Sequence, residues 1–381
     1  MKILSALYGT QLFGRERENI ECYKTFLRLG HEVQVFGSYR EENGGAAGLA
    51  LTSLEVKCGE LPFGSHFSPK YFRKMKGYWW LQIKRIHSCS TQMRRKAREM
   101  EADAIFIGGT MEFLYLWPFL IFQSRPVIYR VGDAPIWASR FQRYIMKSLL
   151  RNADLIVPCS QFIHSECERL LPQSVTRTKV IWNIPPTFSS VEIPTASIDQ
   201  ASTHLRLIYV GQIAEAKGIR TLIQALMELA EYPNWECKLI GGSNFTAEFE
   251  KEMKSWVNSS PLAARIEFVG MVQDPTPYYE WANWHVLPSH LNEAFGLVIV
   301  EAKRAGLPSI VLPNGAMPEL IEDEVDGLIA SSNSVSDLKA CIKKVLTMKL
   351  DLGPNACQSY LNHFNEDRFD SDWRDALSTI S

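Results

Sequence analysis

Two carboxylates, Glu293 and Glu301, stand with seven residues between them in the string P-S-H-L-N-E-A-F-G-L-V-I-V-E-A-K-R-A-G, Pro288 to Gly306. Between them Phe295, Gly296 and Leu297 mark a step from loop to helix. A helix N-terminus offers unpaired N–H groups and the positive end of a dipole, so it suits a phosphate. A carboxylate just ahead of it, and another in its second turn, can each accept hydrogen bonds from sugar hydroxyls. An anion site flanked by two diol-binding acids is the chemistry that holds a nucleotide-sugar. Each acid also has a plainer reading. Glu293 could be a first-turn acid favoured by the dipole. Glu301 could be a helix-surface acid, but Val298, Ile299, Val300 and Ala302 around it are apolar, so the helix is largely buried and a carboxylate in it needs a partner. Glu319, after Pro318, reads most simply as a first-turn acid.

These residues need a scaffold, and the chain alternates strands and helices twice over. Residues 2–7 open as a buried strand, a loop from Gly9 to Gly14 follows, and a helix runs from about residue 16 to residue 29. Further strands are expected at 32–36, 104–107, 127–129 and 155–157. The stretch 185–203, rich in Pro, Ser and Thr, reads as a linker. The alternation then restarts, with strands at 205–210, 237–240, 266–269, 284–287 and 309–312 and a helix at 218–229. This predicts an α/β chain of two Rossmann-like, doubly wound domains facing across a cleft: 1–184 and 204–365, with a C-terminal helix over 366–381 packing back on the first.

At 381 residues the chain exceeds what one core usually serves. Its eight cysteines are scattered, with no C-x-x-C pair and no histidine cluster beside them, which points to reduced thiols in a cytoplasmic protein and to no metal site. The opening apolar run is too brief for a signal sequence, and the apolar stretch 113–122, broken by Pro118, reads as a buried helix rather than a span. The net charge of −1 hides an asymmetry. Residues 1–184 hold 26 Lys and Arg against 16 Asp and Glu, and residues 185–381 hold 15 against 26. A basic half suggests an anionic surface or substrate, or a simple drift of charge between domains.

Over most of its length the chain resembles the retaining nucleotide-sugar glycosyltransferases of the GT-B fold, glycosyltransferase group 1. The resemblance rests on V-G-Q-I-A-E-A-K-G, V-L-P-S, E-A-F-G-L-V-I-V-E-A, A-G-L-P and D-G-L-I, and more weakly on L-R-L-G-H-E-V-Q-V-F and A-D-L-I-V-P-C-S. It implies that Glu293 contacts the donor sugar and acts in catalysis, and that Glu301 holds the ribose diol. Backbone N–H groups from Phe295 to Leu297 would meet the diphosphate or sugar. Lys217 would neutralise the diphosphate, and Gly14 would let the N-terminal backbone approach the donor. No cofactor is implied.

Two positions depart from the family pattern. Gln212 stands where relatives usually carry Arg, which leaves Lys217 as the main cation of that loop, although Gln still donates hydrogen bonds to an oxyanion. Gly132 stands where relatives often carry His, followed here by Asp133. Asp133 then orients the acceptor or takes its proton, or else caps the segment 134–137. Arg130 either reaches the cleft or, as strand-end arginines more often do, pairs with a surface acid.

The implied reaction builds positive charge on the sugar and negative charge on the leaving group, which Lys217 and the helix start at Phe295 would stabilise. No D-x-D pair stands at a strand end, so transfer is expected to be metal-independent, with retention implied by the resemblance. The acceptor is a glycan or lipid-linked hydroxyl. From Leu61 to Arg98 there are ten Lys and Arg and no Asp or Glu, interleaved with Phe72, Trp79 and Trp80. Phe72, Met75, Trp79, Ile83 and Ile86 fall at helical spacing. This is either a core-packed helix with a solvated basic face or, around Lys70 to Arg85, a surface for anionic lipid at the inner membrane face. Nucleic acid is disfavoured because no recognised module accompanies the charge. The rival classes are an epimerase or phosphorylase on the same fold, a silent binding relative, and a dinucleotide oxidoreductase; the last is disfavoured because residues 9–14 do not give G-x-G-x-x-G.

Overall fold

The computed structural model describes residues 1–11, 13–38, 45–64, 77–133, 140–172, 177–186, 204–243, 247–348 and 350–380. Most of the Pro/Ser/Thr-rich stretch (187–203), the basic residues Lys70, Arg73, Lys74 and Lys76 with Phe72 and Met75, and the segment 134–137 lie outside the described residues. The chain divides into two units, Met1–Pro186 with Glu366–Ser381, and Thr187–Asn365.

Unit 1 is built on a parallel sheet of β1 (Lys2–Leu7), β2 (Glu32–Gly37), β3 (Lys57–Glu60), β4 (Ala104–Ile107), β5 (Val127–Val131), β6 (Leu155–Pro158) and β7 (Arg177–Thr178), in the order β3-β2-β1-β4-β5-β6-β7. Helices cover such a sheet on both faces, so its central strands are apolar throughout. In β1, Ile3, Leu4, Ala6 and Leu7 are buried, and Leu4 lies between Gln34 of β2 and Ile105 of β4. Helix Gly14–Arg28 buries Ile20, Tyr23 and Phe26 on the core.

The last helix, Glu366–Ser378, is part of unit 1. It buries Phe369, Trp373, Ala376 and Leu377, a helical stripe, and Trp373 meets Phe26 edge to face at 5.0 Å. Asp370 fixes its register by accepting hydrogen bonds from Thr25 (2.8 Å) and Arg28 (2.7 Å). Burying an aromatic side chain of this kind contributes about 2–3 kcal/mol, so the chain's end is anchored rather than loose.

Unit 2 repeats the plan with β8 (Leu205–Val210), β9 (Trp235–Ile240), β10 (Ile266–Gly270), β11 (Trp284–Leu287), β12 (Ser309–Val311) and β13 (Gly327–Ile329), all parallel, in the order β10-β9-β8-β11-β12-β13. The doubly wound α/β architecture expected from the alternation is therefore present in both units.

Three strands were not expected from sequence. β3 is an exposed edge strand with a polar K-C-G-E sequence, and β7 and β13 are two and three residues long. Residues 113–120 of the apolar stretch lie in helix Thr110–Leu120, but the stretch is not buried all round, because Trp117 in the helix and Phe122 just past its end are exposed. Arg130 does not pair with a surface acid. Its β5 side chain is wholly buried, and its Nε donates to the buried Glu18 at 2.6 Å. All eight cysteines are thiols rather than disulfides, five of them buried, and burial pushes the Cys237 thiol up to about 12. Among the described residues no helix is long and apolar enough to cross a membrane.

Candidate functional site

In unit 2 the strand order reverses between β8 and β11. The chain leaves β8 toward β9 and leaves β11 toward β12, so the loops past their carboxyl ends diverge. Such a switch point is where doubly wound sheets bind ligands. Lys217 lies on the loop after β8, and Glu293 on the loop after β11.

The two side chains meet. Lys217 Nζ donates to Glu293 Oε1 at 2.7 Å, and Ser289 Oγ donates to the same oxygen at 2.6 Å. Both remain partly open to solvent, with side chains 24% and 17% exposed, so a ligand can reach them. The loops that carry them are locked together. Gly218 adopts φ +74°, and a Cβ there would lie 1.7 Å from the Pro288 carbonyl oxygen, so only glycine permits this approach. The His290 N–H bonds to the Ala216 carbonyl at 3.0 Å, and the Ala316 N–H bonds to the Glu293 carbonyl at 2.9 Å. Asn314 donates to the Ser289 carbonyl at 2.8 Å. The backbone that carries Glu293 is thus tied to its neighbours on two sides, while Lys217 and Ser289 hold its carboxylate.

Gln212 enters this loop through its backbone, with its carbonyl accepting the Tyr209 hydroxyl at 2.8 Å. Burial, with the nearby Glu293 charge, holds the Tyr209 phenol well above its ordinary pKa, so it stays a donor. Phe295 is buried and packs edge-on to Phe364 at 6.4 Å. Gly296 takes φ +117° at the start of helix Leu297–Arg304, so the loop turns into the helix at the only residue type that adopts that angle easily.

Glu301 sits on that helix, buried, and accepts the Tyr279 hydroxyl at 2.9 Å. The polar partner that its apolar neighbours required is therefore a tyrosine from helix Thr276–Trp281. Two residues on, Lys303 is fully buried, bonded to Asp326 and to Ser359 Oγ at 2.9 Å. Burial lowers its pKa, against the opposing pull of Asp326. This pair ties the Glu301 helix to the D-G-L-I turn, a role that no sequence signal announced.

Unit 1 has its own switch point, between β1 and β4. Gly14 is the first residue of helix Gly14–Arg28, and a methyl group there would meet nothing. Its neighbour Arg15 reaches Glu16 at 2.9 Å and Asp133 at 3.4 Å. Burial alone would lower the Arg15 pKa, but Glu112, Glu16 and Asp133 around it raise it, so it stays charged. Glu112 is wholly buried on helix Thr110–Leu120 and accepts the Tyr8 N–H at 2.8 Å, while its second oxygen has no hydrogen-bond partner among the described residues. Burial raises the Glu112 pKa, opposed by Arg15. Asp133 is largely exposed, and Arg15 is its contact in the folded chain. Sequence reasoning named Gly14 and Asp133 and missed Arg15, whose place directly after Gly14 was the available signal.

Gly132 has a physical reason. A Cβ there would lie 2.4 Å from Glu18 Oε2. Glu18 is pinned by Arg130, which also donates to Asn183. Burial raises the Glu18 pKa against the pull of Arg130. The space beside Gly132 is filled by this buried pair.

Comparison with known proteins agrees with the architecture. HepE from Anabaena, solved in complex with UDP and glucose, matches over 100% of both chains with a TM-score of 0.79 at 20% identity. Sucrose-phosphate synthase from Thermosynechococcus elongatus matches 100% of this chain and 99% of its own with a TM-score of 0.78 at 18% identity. At these identities the likeness is one of fold, the two-domain GT-B fold. In sequence, the O-antigen chain mannosyltransferase B of Escherichia coli is 30% identical over 214 residues, 54% of this chain and 55% of that protein. Glycogen synthase of Mycobacterium tuberculosis is 27% identical over 205 residues, 52% of this chain and 47% of that protein. The chain spans about half the length of these relatives. Residues 196–359, the stretch that holds Lys217, Glu293 and Glu301, match the family model described as glycosyl transferases group 1.

Proposed function

We propose that the protein transfers a sugar from a nucleoside diphosphate donor to a hydroxyl of a glycan or lipid-linked acceptor, with retention of configuration and without a metal. The observation that carries this reading is the Lys217–Glu293 pair at the unit 2 switch point, at 2.7 Å. Lys217 neutralises the diphosphate, and Glu293 takes the donor sugar's hydroxyls and supports the chemistry at its anomeric carbon. N–H groups from Phe295 to Leu297 add hydrogen bonds to the leaving group, Gln212 donates an amide to it, and Glu301 exchanges its tyrosine contact for the ribose diol. In unit 1, the acceptor side, Asp133 orients the acceptor or takes its proton, and Gly14 leaves room for the donor's phosphates or sugar. The neighbour solved with UDP and glucose supports a nucleotide-sugar donor.

The setting that fits is cell-surface polysaccharide or glycolipid synthesis. There a cytoplasmic enzyme works at the inner membrane face, held through the basic stretch Lys70 to Arg85.

The test is a thermal-shift screen against UDP-, GDP-, ADP- and dTDP-sugars, followed by nuclear magnetic resonance of the product. A ligand at 100 times its Kd stabilises by about 2.7 kcal/mol, an easily read shift. An α-linked product from an α-linked donor is expected. No stabilisation by any of the four, or an inverted product, would overturn the reading.

A further inference from the structure

The charge asymmetry of the chain becomes a spatial one in unit 1. The steps β3 to β4, β4 to β5 and β5 to β6 all run the same way along the sheet. Right-handed crossovers then place helices Tyr78–Glu99, Thr110–Leu120 and Arg140–Asn152 on one face, and helix Gly14–Arg28 on the other, because β1 to β2 runs the opposite way. The first two of the three pack side by side: the Tyr115 hydroxyl donates to Gln82 at 2.6 Å, and Arg94 donates to the Pro118 carbonyl at 3.4 Å.

These three helices carry ten Lys and Arg against two Asp and Glu. Of the two acids, Glu112 is buried and Glu99 is paired with Arg95 and Lys96. Helices Gly14–Arg28 and Glu366–Ser378, packed together on the opposite face, carry eight acids against six bases. One face of a single sheet is therefore strongly basic and the other slightly acidic. The fourth helix of the basic layer, Gln161–Leu170, holds Glu166 and Glu168 and marks where the basic surface stops.

Aromatic and aliphatic side chains stand out of the same layer. Trp79, Trp80 and Ile83 lie on one side of their helix at 55%, 62% and 60% exposure, and Lys84 Nζ sits 3.4 Å over the Trp80 ring. Trp117 emerges from the adjoining helix and Phe122, at 76% exposure, from the turn just past its end. Tyr144 is exposed on the third, next to Arg143. Large apolar groups set among lysines and arginines fit the boundary between headgroups and acyl chains: the cations meet lipid phosphates and the rings enter the interface. A polynucleotide would use the charge and leave Ile83 and Phe122 in water.

We propose that this three-helix layer is a docking face for an anionic lipid bilayer, extending well beyond the Lys70 to Arg85 stretch to Trp117, Phe122, Arg143, Lys147 and Arg151. It rests on the membrane part of the reading above and not on the transfer chemistry. The experiment needs no donor or acceptor: co-sedimentation of the full chain with phosphatidylglycerol or phosphatidylcholine vesicles, at low and physiological salt. Wild type is expected on phosphatidylglycerol at low salt and to be released by salt, since screening acts over about 8 Å at physiological strength. The triple variant Arg143→Gln, Lys147→Gln, Arg151→Gln should bind at least about tenfold less. So should Trp79→Ser, Trp80→Ser, Ile83→Ser, with nucleotide binding intact in both as the check on folding. Equal sedimentation on both lipids, or full binding by the Arg143/Lys147/Arg151 variant, would overturn the proposal. So would retention by single-stranded RNA with none by vesicles. Any of these would leave the transfer reaction untouched.

Discussion

Lys217 and Glu293 form an ion pair at 2.7 Å. The function proposed above gives the two residues complementary tasks, one toward a diphosphate and one toward a sugar. Each serves as the other's partner, so neither charge is left alone in a half-buried loop. On that proposal a donor bringing both phosphate and hydroxyls would replace both halves of the pair at once. A bare phosphate would replace only one half and leave Glu293 to Ser289, which already donates to it.

Glu301→Gln keeps an acceptor for the Tyr279 hydroxyl, which now bonds Glu301 at 2.9 Å, so the fold should persist. In the proposed role, what is lost is a charged acceptor for the ribose diol, worth about 1.5–3 kcal/mol. Nucleotide affinity in calorimetry should fall about tenfold or more. Unchanged affinity would remove Glu301 from the site.

Gly132→Ala should destabilise the protein by about 1–3 kcal/mol, because the new methyl presses on Glu18 Oε2, 2.4 Å from the ideal Cβ position. Glu18 has little freedom to yield while Arg130 holds it at 2.6 Å. In a Glu18→Ala background the same substitution should cost almost nothing. Urea unfolding of the four proteins closes the double-mutant cycle, and additive effects would show that the two positions do not meet.

The strand pattern and the E-x7-E string were legible because parallel strands are apolar throughout and the loop-to-helix step is written in Phe295, Gly296 and Leu297. The edges were not. β3 has no apolar run, and β7 and β13 are too short to show a period. Buried charge was equally opaque. Glu18, Arg130, Lys303 and Asp326 look like surface residues until the partner, 112 positions away for Glu18 and 23 for Lys303, is brought alongside. The tyrosine beside Glu301 lies 22 positions away and was invisible for the same reason.

His285 in β11 is wholly buried, and burial pushes it from 6.5 down to about 3. The unfolded chain takes up this proton near pH 6.5, whereas the folded chain resists it until about pH 3. Stability is therefore complete above the unfolded value and is lost as pH falls through that window. By about pH 5 the loss from this one group should be on the order of 2 kcal/mol. Denaturant melts of wild type and His285→Gln at neutral and mildly acidic pH should show a smaller acid loss in the variant. Identical losses would mean that His285 is not buried neutral.

The most direct measurement is a calorimetric and kinetic comparison of wild type, Lys217→Met and Glu293→Gln, using UDP and GDP and their sugars. Lys217→Met should lose about tenfold or more in affinity for the bare diphosphate. Glu293→Gln should bind the bare diphosphate as well as wild type or better, because Lys217 is released from its 2.7 Å pairing, yet lose about 100-fold or more in turnover. Wild-type turnover in Glu293→Gln, or undiminished diphosphate affinity in Lys217→Met, would contradict the account.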